Sequence, residues 1–159
     1  TYQVGRTSCG PATLASAARS LGRADVTQEM LLDDGKTDLK SGMTAEALAE
    51  LARRRLGWSA STLTNLSLRE LRLHLELSND PSRRYVVNFH RAPLFGSGGG
   101  HHSLLGGFSE KDDSVLVLDV NRSFGPWRVS SARLHAAIDT VDLESGSKRG
   151  LILLGPCGI

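Results

Sequence analysis

The chain has 159 residues, 40% hydrophobic and 23% charged, enough for one sizeable core and offering no obvious second one. Nineteen basic and seventeen acidic side chains leave a net charge of +2, which announces neither nucleic acid nor a membrane surface as a partner. No stretch approaches the roughly 18 apolar residues of a membrane span, and TYQVGRTSCG lacks the basic and apolar regions of a signal peptide, so a soluble protein is expected.

Compartment stays open between cytoplasm, periplasm and exterior. Cys9 and Cys157 are too few for a disulfide scaffold or a cysteine-built zinc site and lie at opposite ends of the chain. At least one is expected to be free, with a Cys9–Cys157 bridge as the alternative.

In chain order, helical signals come first. A helix is expected from Cys9 or Gly10, capped by Ser8, with Pro11 in its first turn and an alanine-rich run ending at Gly22. Asp25 and Gln28 have capping-box spacing before a short helix near 27–32. Thr44 opens the clearest helix, where Leu48, Leu51, Ala52 and Leu56 recur at helical spacing and Gly57 is the stop. Ser67 and Glu70 form another capping box before LRELRLHLEL.

Beyond about residue 83 the period changes, and YVVNF, HHSLLGGF, SVLVLDV and RGLILL read as strands. The fold class is therefore α+β, one domain over 1–159, with a helical part of about 1–80 packed on an antiparallel sheet of about 83–155. The polar turn SEKDD should join the second and third strands as a hairpin, placing His101 within a residue or two of Asp119. A helix near 131–139 leads to the last strand, and GSGGG at 96–100 is a tight or mobile approach to His101.

A thiol is a good nucleophile only as thiolate, and both a helix N-terminus and a nearby imidazolium lower its pKa. Cys9 in TSCGPATL is placed for both, with unpaired helix N–H groups able to receive an oxyanion. The ordinary alternative is a small buried hydrophobe that starts a helix. Alternation sends His101 and His102 to opposite faces, so one of them should meet Cys9, and the hairpin alone does not choose. A metal site on this pair is disfavoured because neighbouring strand residues diverge and no third ligand is evident. His74 reads as a helix-surface residue and His90 as a strand-end polar group. Asp119 closes the apolar run LVLD, where it could orient a histidine ring.

With these residues in place, the chain resembles the phytochelatin synthase family, in its bacterial catalytic-domain-only form, along nearly its whole length. The likeness is carried by Cys9-Gly10 with Gln3 six residues upstream, by Gly42-Met43-Thr44 opening a leucine-rich helix, and by VVNFHR leading to GHHSLLGGF. LVLDVNR and TVDLESGSKRG carry it further. The resemblance implies a papain-like cysteine protease fold with Cys9 as nucleophile, His101 rather than His102 as general base and acid, Asp119 as orienting carboxylate and Gln3 as oxyanion donor. It also implies a γ-glutamyl site built from Asn88, Arg91, Gly100, Asp142 and Arg149, since an α-carboxylate and an α-ammonium need a cation and an anion.

The implied reaction is attack on the Cys-Gly bond of glutathione, through a γ-glutamylcysteinyl thioester, with hydrolysis dominating over transfer to a second glutathione. No cofactor or resident metal is implied, although heavy-metal thiolates of glutathione are a further form of the substrate. The partner is thus a small peptide, with a homodimer open. NRSFGPW, after Asp119, is contracted relative to the family and lacks its usual aromatic and basic residues. TSCGPATL also resembles the start of peptidases that remove double-glycine leaders, which is the rival enzyme reading. A catalytically idle binding domain is the non-enzyme alternative.

Overall fold

A computed structural model describes residues 1–33 and 42–155. Among these described residues, six helices and six strands follow in the order α1 (Cys9–Ser20), α2 (Gln28–Leu32), α3 (Ala45–Leu56), β1 (Ser59–Thr64), α4 (Leu68–Leu77), β2 (Arg84–His90), α5 (Ala92–Phe95), β3 (Gly100–Ser109), β4 (Ser114–Leu118), β5 (Pro126–Val129), α6 (Ser131–Ile138) and β6 (Gly150–Gly155). The strands form one antiparallel sheet in the order β1-β6-β2-β3-β4-β5.

Local chemistry accounts for most helix starts. Thr44 accepts from Ala47 N and Ser67 closes a full capping box with Glu70, while Gly57 ends α3 in the left-handed region at φ 64°. The short helix α2 differs from expectation. Its cap is Thr27, which accepts from Met30 N, and Asp25 is instead paired with Arg23. Being directly adjacent to the helix, Thr27 holds the geometry that Asp25, two residues too early, cannot.

Alternation along the central strands sorts the core onto two faces. Val86, Leu104, Ile152 and Leu154 meet Leu14, Ala18, Leu48 and Leu51 of α1 and α3 on one side. Tyr85, Val87, Leu105, Val117 and Leu151 meet Leu71 and Leu75 of α4 and Leu134 and Ile138 of α6 on the other. Full burial of each such leucine stabilises the fold by about 2 kcal/mol.

Two strands lie outside the sequence expectation. β1 falls within the helical part and closes one edge against β6, and β5 closes the other against β4. SASTLT buries only Ala60, so an edge strand with one buried position carries almost no hydrophobic alternation to read. The SEKDD hairpin forms as expected, with Ser109 opposite Ser114, and Asp113 adopts φ 44° within the turn.

Candidate active site

Cys9 is the first residue of α1 and only 6% exposed. Ser8 does not cap the helix: its hydroxyl donates to Gly5 O at 3.0 Å and accepts from Gly5 N at 2.9 Å. The preceding turn has captured the hydroxyl, so the first-turn N–H groups have no side-chain cap and their partial positive charge faces the sulfur. α1 is pinned to β3 where Thr13 Oγ1 donates to His102 O at 3.0 Å. Cys9 is a free thiol, and Cys157 lies outside the described residues.

Both histidines engage that sulfur, contrary to the expectation that only one would. His102 Nδ1 lies 3.8 Å from Cys9 Sγ, and His101 stands near enough to act on the thiol's titration. The physical reason is position. Both are within the first three residues of β3, so the helix mouth sits at the strand's beginning, within reach of rings from either face. Burial pushes the Cys9 pKa up, but hydrogen bonds from His101 and His102, with the charge of His101, outweigh it and hold the thiol well below its ordinary value of 9.0.

The second ring nitrogen of each histidine is also held. His101 Nε2 donates to Asp119 Oδ1 at 2.9 Å, and Asn88 Nδ2 donates to His102 Nε2 at 2.9 Å. Burial works to lower the His101 pKa, yet its bonds to Asp119 and Cys9 raise it above the ordinary 6.5. Burial likewise works to raise the Asp119 pKa, and bonds from His101, Asn121 N and the Trp127 indole bring it below 3.8.

Asp119 follows β4, and its carboxylate collects donors from several elements. Besides His101 it accepts from Asn121 N at 2.8 Å, from Trp127 Nε1 at 3.0 Å and from Arg91 Nη2 at 3.2 and 3.1 Å. Arg91, expected in the substrate site, is thus placed against the triad carboxylate, because the chain turns from β2 into α5 at that residue. Its guanidinium also stacks 4.1 Å from the centre of the Phe124 ring. Phe124 and Trp127 belong to NRSFGPW, the segment read from sequence as lacking aromatic support. Their signal in the sequence is a Trp three residues before the Ser130 cap, which says nothing about its partner.

A cleft of about 120 Å3 opens beside the sulfur. Cys9, His102, Asn88, Gly100, Asp142 and Arg149 line it, so four of the five residues expected to bind substrate meet there. Arg149 is 8% exposed; its Nη1 donates to Val141 O at 2.7 Å and its Nη2 stands 3.7 Å from Asp142 Oδ1. Its Nε is buried without a partner. Gly100 lies close under this arginine: a Cβ there would fall 2.9 Å from Arg149 Nη2, so the guanidinium would have to shift. Burial lowers the Arg149 pKa and Asp142 opposes that shift.

Gln3 is held by its backbone, which donates to Val120 O at 2.8 Å, while Gln28 clamps its neighbours by bonding Tyr2 O and Val4 N. Gln3 Nε2 donates to Gly5 O at 2.7 Å, so one of its two amide N–H groups is committed there. His74 is not a free surface group: Nδ1 pairs with Tyr85 Oη at 3.2 Å. His90 Nδ1 accepts from Ala92 N. Among the described residues no group of three His, Cys, Asp or Glu side chains is arranged to hold a metal ion. No described helix is long and apolar enough to cross a membrane.

Residues 1–151 match the sequence model of a family described as Phytochelatin synthase. A glutathione gamma-glutamylcysteinyltransferase of Schizosaccharomyces pombe is 32% identical over 123 residues, covering 76% of this chain and 30% of that protein. One from Lotus japonicus is 37% identical over 73 residues, 45% of this chain and 15% of that protein. The chain therefore spans under a third of the length of these relatives. Among solved structures, the peptidase domain of Streptococcus ComA, a bifunctional ABC transporter, superposes with a TM-score of 0.68 at 23% identity, over 98% of this chain and 96% of that one. A C39-like peptidase from Bacillus anthracis gives 0.66 at 17% identity, over 96% and 92%. At such identities these neighbours establish the fold, which is that of the papain-like C39 peptidase domains.

Proposed function

Since the chain belongs to the phytochelatin synthase family, we propose that it is a thiol enzyme that cleaves the Cys-Gly bond of glutathione through a γ-glutamylcysteinyl thioester on Cys9. One observation carries this reading: the nucleophile shares a cleft with a buried guanidinium and a carboxylate, Arg149 and Asp142, a pair suited to the α-carboxylate and α-ammonium of a γ-glutamyl group.

In the first half-reaction the Cys9 thiolate attacks the cysteinyl carbonyl carbon. The developing oxyanion is received by first-turn N–H groups of α1 and by Gln3. Imidazolium His101 then passes its proton to the departing glycine amine as the C–N bond breaks. Asp119 keeps the ring oriented and stabilises its charge. In the second half-reaction neutral His101 takes a proton from water, the hydroxide adds to the thioester, and the C–S bond breaks to return the thiolate and release γ-glutamylcysteine. The α-amino group of a second glutathione in place of water, giving up its proton to His101 as its nitrogen adds to the thioester carbonyl and the C–S bond breaks, would give the chain-extended product. No cofactor enters either step.

Incubation with glutathione should release glycine and increase the mass of the intact protein by one γ-glutamylcysteinyl group, with neither event in Cys9→Ala. Equal glycine release from the two proteins would overturn the reading. A double-glycine leader peptide serves as the competing substrate, and its cleavage with glutathione left untouched would favour the peptidase assignment.

A further inference from the structure

The His101–Asp119 pair accounts for one imidazole at the site, yet a second stands 3.8 Å from the sulfur. We propose that His102 is a catalytic residue as well, acting on the Cys9 sulfur in a second relay, Cys9–His102–Asn88, built beside Cys9–His101–Asp119.

The two relays have the same form. In each, Nε2 is held at 2.9 Å by a neighbouring side chain, Asp119 just after β4 for His101 and Asn88 of β2 for His102. That leaves Nδ1 for the sulfur, and for His102 the separation is 3.8 Å. His102 is 1% exposed and its main-chain carbonyl is tied to α1 by Thr13, so ring and nucleophile are fixed to each other. His102 and Asn88 both line the cleft, which places this relay on the side from which a substrate reaches the sulfur. The register makes the pairing inevitable: Asn88 sits directly opposite His102, and Phe89 opposite His101.

The partners differ in charge, and that sets a division of labour. A carboxylate beside His101 favours imidazolium, the form that supplies a proton to a leaving amine. An amide N–H donating to His102 Nε2 instead fixes the neutral tautomer with its proton on Nδ1, aimed at the sulfur. His102 therefore donates a hydrogen bond to the thiolate without giving up its proton. The same bond forms again when the thioester C–S bond breaks and negative charge returns to sulfur, while His101 handles the proton from water. That last step rests on the reaction proposed above; the bond to the resting thiolate does not.

The test is the pH dependence of Cys9 alkylation by iodoacetamide, followed by intact mass, in wild type, His102→Phe, His102→Gln and Asn88→Ala. Removing the imidazole in His102→Phe should raise the midpoint of thiolate formation by about one pH unit, about tenfold slower alkylation below the midpoint. His102→Gln, which restores an N–H donor, should stay within about half a unit of wild type. Asn88→Ala frees the tautomer and should raise the midpoint in the same direction. A wild-type midpoint in His102→Phe would overturn the proposal, and if that variant fails to melt cooperatively a wild-type midpoint in Asn88→Ala would do so. Glycine release from glutathione is measured in parallel. Its absence in wild type would sink the substrate reading and leave the alkylation result to decide this one.

Discussion

Arg91 presents a single guanidinium nitrogen to both oxygens of Asp119, at 3.2 and 3.1 Å, and the pair is buried, with the Arg91 side chain 10% exposed and Asp119 fully covered. Arg149, the other arginine expected at the substrate, faces the cleft instead. Two residues that looked equivalent in the sequence thus occupy different sides of the chemistry, and their variants should separate cleanly.

Arg91→Ala should lower kcat with glutathione while leaving KM nearly unchanged, because it loosens the carboxylate that orients His101. It should also cost about 3 kcal/mol of stability, since truncating one member of a buried ion pair strands the other. Steady-state kinetics and urea denaturation give the two numbers. A raised KM at constant kcat would place Arg91 on the substrate after all.

Arg149→Ala should show the opposite pattern, with KM raised roughly tenfold or more. Its Cys9 should still be alkylated at the wild-type rate, as the guanidinium touches neither histidine. Loss of alkylation would mean that the change had disturbed the fold of the site rather than substrate capture.

The indole of Trp127 serves Asp119 with one hydrogen bond and packs edge-on against Phe89 and Phe95. Trp127→Phe keeps much of that packing and removes the N–H. A stability loss of about 1 kcal/mol is expected, with a clear fall in kcat. Unchanged kcat would show that the remaining donors suffice to hold the carboxylate.

Proton linkage follows from the shifts of the relay. The folded His101 pKa is raised, so its contribution to stability is complete below pH 6.5 and is lost as pH rises through the folded value. Part of that elevation comes from Cys9. Cys9→Ala should therefore lower the His101 pKa, read by NMR titration of its ring protons. An unmoved titration would mean that no ion pair forms between sulfur and ring. Asp119 has the reverse sign: its contribution is present above pH 3.8 and disappears as pH falls through the depressed folded value.

At the start of β6, next to Arg149, Gly150 permits a close approach between two strands. A Cβ there would fall 2.0 Å from Leu63 O in β1. Gly150→Ala should force β1 from the sheet edge and destabilise the protein by about 3 kcal/mol or more, in thermal unfolding. A near-wild-type melt would mean that β1 can shift aside freely.

Helix starts were legible wherever a cap lay in the sequence itself, as at Thr44 and Ser67, and so were the apolar central strands. Ser8 was misleading because the competing bond, to Gly5, also lies within one short turn and has no distinguishing residue type. β1 was hidden because an edge strand with a single buried side chain has little pattern. Cys9, His101 and Asp119 could be found because a hairpin turn and a helix mouth are local features that bring distant residues together. The destination of Arg91 was not available, since it depends on how a four-residue helix turns the chain after β2. Nor was the reach of both histidines: alternation describes the faces of a strand, and the sulfur stands at its beginning.

Asp119 gathers its donors from the end of β2, from β3, from the turn behind β4 and from β5. One carboxylate thus works as a shared fastening for pieces of chain drawn from separate stretches of the sequence. Acid that neutralises it would unfasten all of them at once, so below that point activity should vanish together with the local shape of the site, as one event with a single midpoint.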